Sequence, residues 1–142
     1  MKKLTFASLL ICLAFSAFAA EIPDEKDLQF LADGSLVSFG LAIKKKDFSK
    51  FYDEFADVWQ KQTTPDKLKD AFKDFFDKNI DLPAAIKDKE PVFNQPAKVN
   101  EDSVLLLKGY YTTTPNRVVF ELKYVEESDE WRLVGINVKL EE

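Results

Sequence analysis

Residues 118–140, VVFELKYVEESDEWRLVGINVKL, alternate between apolar and polar side chains in two runs split by the polar stretch 126–130. Successive side chains of a strand point to opposite faces. Phe120, Leu122 and Tyr124 therefore share one face, and Val119, Glu121, Lys123 and Val125 the other. β-Branched and aromatic residues suit such a half-buried pleated surface. Two alternating runs around a short polar loop predict a hairpin, although the loop lacks the Asn-Gly or Asp-Gly pair that favours a tight turn. In the second run Arg132, Val134, Ile136, Val138 and Leu140 fall on one face, and Trp131, Leu133, Gly135, Asn137 and Lys139 on the other. A third strand, 103–111, comes just before. These strands need a cover, and the upstream chain has to supply it.

That upstream chain reads as helices. The first is expected over residues 25–45, with Asp24 capping its start and Lys44, Lys45 and Lys46 facing its negative end. Leu28, Leu31, Ala32, Ser35, Phe39 and Ile43 recur at helical spacing. Gly34 and Gly40 interrupt this pattern; each costs up to about 1 kcal/mol relative to alanine, which implies close packing at those points or room for a ligand. A second helix is expected over 47–62, where Phe48, Phe51, Tyr52, Phe55, Val58 and Trp59 make a continuous aromatic stripe. A third starts at Thr64-Pro65, a cap followed by a proline that tolerates the first helical position, and runs to about residue 79 with Leu68, Ala71, Phe72, Phe75 and Phe76 on its buried side. Residues 81–86 add a turn. Pro91 and Pro96 confine residues 88–96 to a loop or edge, with Val92-Phe93 as a short edge strand.

The start of the chain stands apart. A basic Met1-Lys2-Lys3 precedes an apolar run to Phe18, and Ala17-Phe18-Ala19 offers the small residues that a signal peptidase reads. The run is short for a membrane span, which needs about 20 apolar residues, and Glu21 and Asp24 follow it. Residues 1–19 are read as a cleaved signal peptide, with cleavage after Ala20 as the alternative, and 20–142 as one α+β domain. A lipoprotein signal at Cys12 is disfavoured because bulky Ile11 precedes it. Cleavage removes Cys12, the only cysteine, and with it disulfide and thiol chemistry. Losing Lys2 and Lys3 takes the formal charge from −5 to −7, which disfavours nucleic acid and anionic membrane surfaces as partners. The expected location is the bacterial periplasm or beyond it, with no stable membrane anchor after cleavage.

Helices followed by strands predict an α+β fold in which N-terminal helices pack on one face of an antiparallel sheet. The order of a long helix, two shorter helices and a sheet ending in Trp131-Arg-Leu-Val-Gly-Ile136 resembles the nuclear transport factor 2-like (cystatin-like) superfamily. Trp59-Gln-Lys-Gln-Thr-Thr-Pro-Asp-Lys-Leu68, Leu107-Lys-Gly-Tyr-Tyr-Thr-Thr-Thr-Pro115 and Phe120-Glu-Leu-Lys-Tyr124 are similar to small exported bacterial proteins of that type that lack an assigned function. The resemblance implies a cone-shaped fold, a pocket between the first helix and a curved sheet, and dimerisation through the other sheet face. It carries no activity by itself.

The residues offer little chemistry. The sequence has no histidine, which removes the commonest metal ligand and neutral-pH base. It has four glycines and no phosphate-cradling loop. No catalytic residue, metal site or cofactor is assigned. Glu121, the carboxylate inside the first hairpin strand, alternates away from Phe120 and Tyr124 and is expected to pair with Lys123 or Arg132. Residues 109–117, with Tyr110, Tyr111, Asn116 and Arg117, form the best candidate loop; a simple turn at Pro115-Asn116 is the plainer reading.

Two expectations about function follow. An aromatic pocket is expected from Phe39, Phe55, Trp59, Phe72, Tyr110, Phe120 and Tyr124, able to take a small apolar or aromatic ligand. An apolar outward sheet face bearing Val119, Val125, Trp131 and Leu133 is expected to hold a second copy of the chain or a partner protein, since monomers seldom expose such a patch. The chain is read as an exported, non-enzymatic binding or assembly module; the alternative is a small hydrolase- or isomerase-like enzyme using the same pocket.

Overall fold

The first helix forms where its caps place it. The computed structural model describes residues 21–142, so the signal segment read from residues 1–19 lies outside the described residues. Helix α1 spans Glu25–Lys45. The Asp24 carboxylate accepts a hydrogen bond from the Asp27 amide at 2.9 Å, and Glu25 and Asp27 add negative charge to the first turn. Lys46 ends the helix in the left-handed conformation, its amide turned back to the Ala42 and Ile43 carbonyls. At Gly40 an added Cβ would meet Pro83 Cδ at 2.6 Å and Leu82 Cβ at 2.8 Å, so close packing of helix α5 (Leu82–Ile86) explains that glycine. At Gly34 an added Cβ would meet nothing within 4 Å, and nothing in the structure explains a glycine there.

The aromatic stripe expected as one helix is two. Helix α2 is Ser49–Asp53 and helix α3 is Asp57–Gln60. Between them Phe55 forms a parallel bridge with Leu133, and the Ala56 amide donates to the Leu133 carbonyl at 2.9 Å. An exposed sheet edge is a row of unmet hydrogen-bonding groups, and here it outcompetes the helix for two residues of backbone. The carbonyls released by the break are met by side chains. Gln60 Nε2 donates to Tyr52 and Phe55, and Arg132 donates to Asp53 at 3.1 Å. The third helix is likewise shorter than its sequence pattern. Helix α4 (Pro65–Ala71) starts as predicted, with Thr64 Oγ1 accepting from the Lys67 amide, then tightens to a single 3-10 turn at Lys73–Phe75.

Among the described residues the strands are β1 (Val92–Phe93), β2 (Lys98–Val99), β3 (Val104–Tyr111), β4 (Arg117–Glu127) and β5 (Glu130–Glu141). They form one open antiparallel sheet in the order β1-β3-β4-β5, with β2 pairing β3 beside β1. The β4–β5 turn is only Ser128-Asp129. Both have positive φ, as the primed hairpin turns require, so the strands run further into the polar stretch than the sequence suggests. Helices before sheet, with the apolar core between them, is the α+β arrangement expected.

One irregularity redistributes the strand faces. Lys123 pairs with Gly135, but Tyr124 pairs with Leu133, leaving Val134 as the extra residue of a β-bulge. Beyond it the alternation of β5 changes phase. Ile136, Val138 and Leu140 lie opposite Leu122, Phe120 and Val118 on the inner face, as do Leu133 opposite Tyr124 and Trp131 opposite Glu126. This corrects the outward face: Leu133 is buried in the core and Trp131 packs at its margin. Val119 and Val125 remain outward, half-buried.

Candidate functional site

The residues expected to line an aromatic pocket are mostly the core itself. Phe39, Phe55, Phe120 and Tyr124 have at most 2 % of their surface exposed, and Trp59 and Phe72 are half-buried against them. Phe39 is the hub. Its ring meets Phe51, Phe72 and Phe75 edge-on, with centroids 5.8, 4.9 and 5.5 Å away. Phe51 continues to Phe55 at 4.9 Å, and Phe55 stacks on Trp59 at 3.9 Å. Such offset and edge-on contacts are the favourable geometries for aromatic pairs. Phe120 stands at the far end of the sheet, against Phe93 and Tyr111. Tyr110 is not with them. Alternation along β3 puts Tyr110 on the outer face, where the Arg117 guanidinium lies 4.5 Å over its ring.

The cavity beside Phe39 is small. A cavity between Phe39, Ile43, Phe75, Ile80, Leu82 and Leu140 holds about 10 Å³. Room for one water takes about 10–15 Å³ and polar partners, and this lining is wholly apolar. The aromatic residues therefore fill the interior instead of surrounding a ligand.

Two tyrosines on the inner sheet face reach helix α1. The Tyr124 hydroxyl lies 2.6 Å from Ser35 Oγ and donates to the Leu31 carbonyl at 3.0 Å. The Tyr111 hydroxyl donates to the Asp33 carboxylate. Burial pushes both hydroxyls above the ordinary phenol range; at Tyr111 the bond to Asp33 adds to this, and at Tyr124 the bond to Ser35 opposes it. Both side chains are almost wholly enclosed, so the hydroxyls tie helix to sheet and present nothing to a substrate. The sign of the pH dependence follows. A group whose folded pKa is raised gives stability that is complete below its unfolded value, about 10 for tyrosine, and is lost above it. In an alkaline titration of the four tyrosines, Tyr111 and Tyr124 should ionise only together with the cooperative loss of circular dichroism. Ionisation of all four with the fold intact would contradict these two contacts.

The loop after β3 is occupied with itself. Thr113 Oγ1 donates to the Asn116 carbonyl, Lys89 Nζ donates to the Thr112 carbonyl at 2.9 Å, and the Thr114–Pro115 peptide is cis. Glu121 pairs with neither Lys123 nor Arg132. Its partner is Lys108, directly across on β3 at 3.8 Å, and Arg132 instead faces Glu130 and the helix carbonyls. The outer face is thus crossed by Lys108, Glu121, Lys123, Asn137 and Lys139, with Val104, Leu106 and Val125 towards one end and Tyr110 and Val119 towards the other.

Two open clefts lie on the helix side. One, of about 400 Å³, lies between the second half of α1 and α2. Leu41 and Phe51 form its floor, and Lys45, Lys50, Asp47 and Glu54 its rim. Its charges balance, and Glu54 already accepts from Ser38 at 2.7 Å. The other, of about 470 Å³, lies at the start of α1 beside Trp131. The sequence reading missed this second cleft. Its signal was Phe30, an aromatic residue lying off the apolar stripe of the first helix and 77 % exposed in the fold. Among the described residues no group of acidic or thiol side chains is arranged to hold a metal ion, and no helix is long and apolar enough to cross a membrane. Comparison with protein-family models, curated proteins and solved structures finds no significant match for this chain.

Proposed function

We propose that this chain is an exported, non-enzymatic binding or assembly module of the bacterial periplasm or extracellular space, and that it meets a protein partner through its surface. The observation that carries this reading is the filled interior. Between helix and sheet Phe39, Phe55, Phe120 and Tyr124 are packed to at most 2 % exposure, and the cavity beside Phe39 and Leu140 holds about 10 Å³, whereas small-molecule sites have roughly 300–1,000 Å³. A hydrolase- or isomerase-like enzyme would need a reachable acid–base group in that space, and the perturbed hydroxyls of Tyr111 and Tyr124 are shut away from it. The same reading assigns the fold to the nuclear transport factor 2-like superfamily. A long helix laid over an antiparallel sheet that is bent by a bulge supports that assignment.

A second reading, a homodimer through the outer sheet face, is favoured by the cross-strand apolar pairs Val104–Val125 and Tyr110–Val119. Native mass spectrometry of protein purified undenatured from the periplasm tests both readings. The expected spectrum is a chain beginning at Ala20 or Glu21 with no added mass. A defined small molecule retained in stoichiometric amount would overturn the binding-module reading. A dimer that Val119→Glu dissociates would establish the outer face as the contact.

A further inference from the structure

We infer that the cleft at the start of α1 is the docking site for a partner-protein segment that sets lysine or arginine beside aliphatic or aromatic residues. The inference rests on the binding-module reading and gives it a place and a chemistry.

The floor of the cleft is apolar and open. Phe30 is 77 % exposed and Ile22 50 % exposed, and Leu31 and Trp131 complete the surface. Phe30 projects from the side of α1 away from Leu28, Ala32, Ser35 and Leu36, the residues that the helix buries, so the fold has no use for it. Trp131 is there because of the bulge at Val134. Without that phase change it would lie on the outer sheet face. A large exposed aromatic beside a half-buried tryptophan is the kind of anchor on which interfaces concentrate their energy.

The rim decides the partner. Glu21, Asp24 and Asp27 line the cleft, and among the described residues no lysine or arginine does. Among the described residues none of the three carboxylates has a cationic partner within 4.0 Å. Asp24 uses one oxygen to cap the helix. Acidic groups around an apolar floor attract a segment with cations flanking its apolar side chains and repel an anionic one. A second copy would bring two acidic rims together, and an anionic lipid surface or nucleic acid would meet the same repulsion. The other cleft, with balanced charges, lacks this selectivity.

The test uses the exported chain and three acetylated, amidated hexapeptides: Leu-Lys-Phe-Lys-Leu-Lys, the same sequence with glutamate for lysine, and the same with serine for the apolar residues. Amide chemical shifts report where each binds. The lysine–apolar peptide should shift residues 21–31 and Trp131. Phe30→Ser and Asp27→Lys, both at exposed positions, should each weaken its binding by about tenfold or more. Raising salt from about 0.1 M to about 1 M, which shortens the screening length from about 10 Å to about 3 Å, should weaken it further. The glutamate and serine peptides should not bind. Failure of the lysine–apolar peptide to bind, equal binding of the glutamate peptide, or binding unchanged by Phe30→Ser would overturn the site. Shifts confined to the α1–α2 cleft or the outer sheet face would overturn it too, while leaving a surface-binding function standing. A retained small molecule in the native mass spectrum would overturn that function instead.

Discussion

Phe39→Ala lowers the unfolding free energy by about 3–5 kcal/mol. Phe39 has no exposed surface and its ring touches three other phenylalanine rings, on α2, at the end of α4 and on the 3-10 turn. Truncation removes the transfer energy of the ring and leaves a hole that those neighbours can close only by giving up their own edge-on geometry. The existing cavity of about 10 Å³ borders the same ring, so the vacated volume adds to it. Urea unfolding should show a lower midpoint with an unchanged slope, since the surface exposed on unfolding hardly changes. Benzene should partly restore the midpoint by occupying the new apolar space, as dry engineered cavities admit such ligands. A loss below about 1 kcal/mol would mean that the interior is loosely packed, and would reopen the case for a natural ligand.

Gly109→Val should detach strand β1. Gly109 lies between Phe93 on one neighbour and Phe120 on the other. An added Cβ would stand 2.2 Å from the Val92 carbonyl oxygen and 2.9 Å from Phe120 Cζ. The phenylalanine ring can turn; the carbonyl is backbone and can move only if the strand moves. Strand β1 has two paired residues and follows Pro91, so little holds it against that push. The expected cost is about 1–3 kcal/mol, the usual range for overpacking. The Asn94 amide, which donates to the Lys108 carbonyl at 2.9 Å, should lose its protection from hydrogen exchange. Gly34→Ala is the control. Its Cβ meets no atom within 4 Å, and the change should raise stability by up to about 1 kcal/mol. Unchanged exchange at Asn94 in Gly109→Val would contradict the close approach of β1.

These effects show which parts of the fold local sequence could specify. Helix α1 has the predicted limits because Asp24 and the lysines at residues 44–46 are local signals, acting within a turn of the residues they cap. Thr64-Pro65 marks the start of α4 for the same reason. The break at Phe55 has no such local signal. It arises because a strand edge 78 residues further along competes for the backbone, and helical spacing in the aromatic stripe is indifferent to that competitor. The bulge at Val134 is legible but easily passed over. Apolar residues hold odd positions up to Leu133 and even positions from Val134 to Leu140, so the adjacent Leu133-Val134 pair marks the extra residue, which an unbroken two-residue period ignores. The candidate site inherits both failures. Phe39, Phe55, Trp59 and Phe72 do join one aromatic network through Phe51, while Phe120 stands apart and Tyr110 faces outward; whether such rings enclose a space or fill it depends on packing that spacing does not encode. The cleft at the start of α1 needs Trp131 on the inner face, and therefore needs the bulge.

The bridge between Phe55 and Leu133 also sets an order of events. Phe55, Ala56 and the side chain of Arg132 reach their final partners only when β5 is in place. Contacts that join such distant parts of a chain close late, after their loop entropy has been met by other pairing. The helical half thus has no finished form of its own while the last dozen residues are missing. Were the chain exported as proposed, that delay would serve it, because a fold that locks only when β5 pairs stays threadable while that strand is still to come.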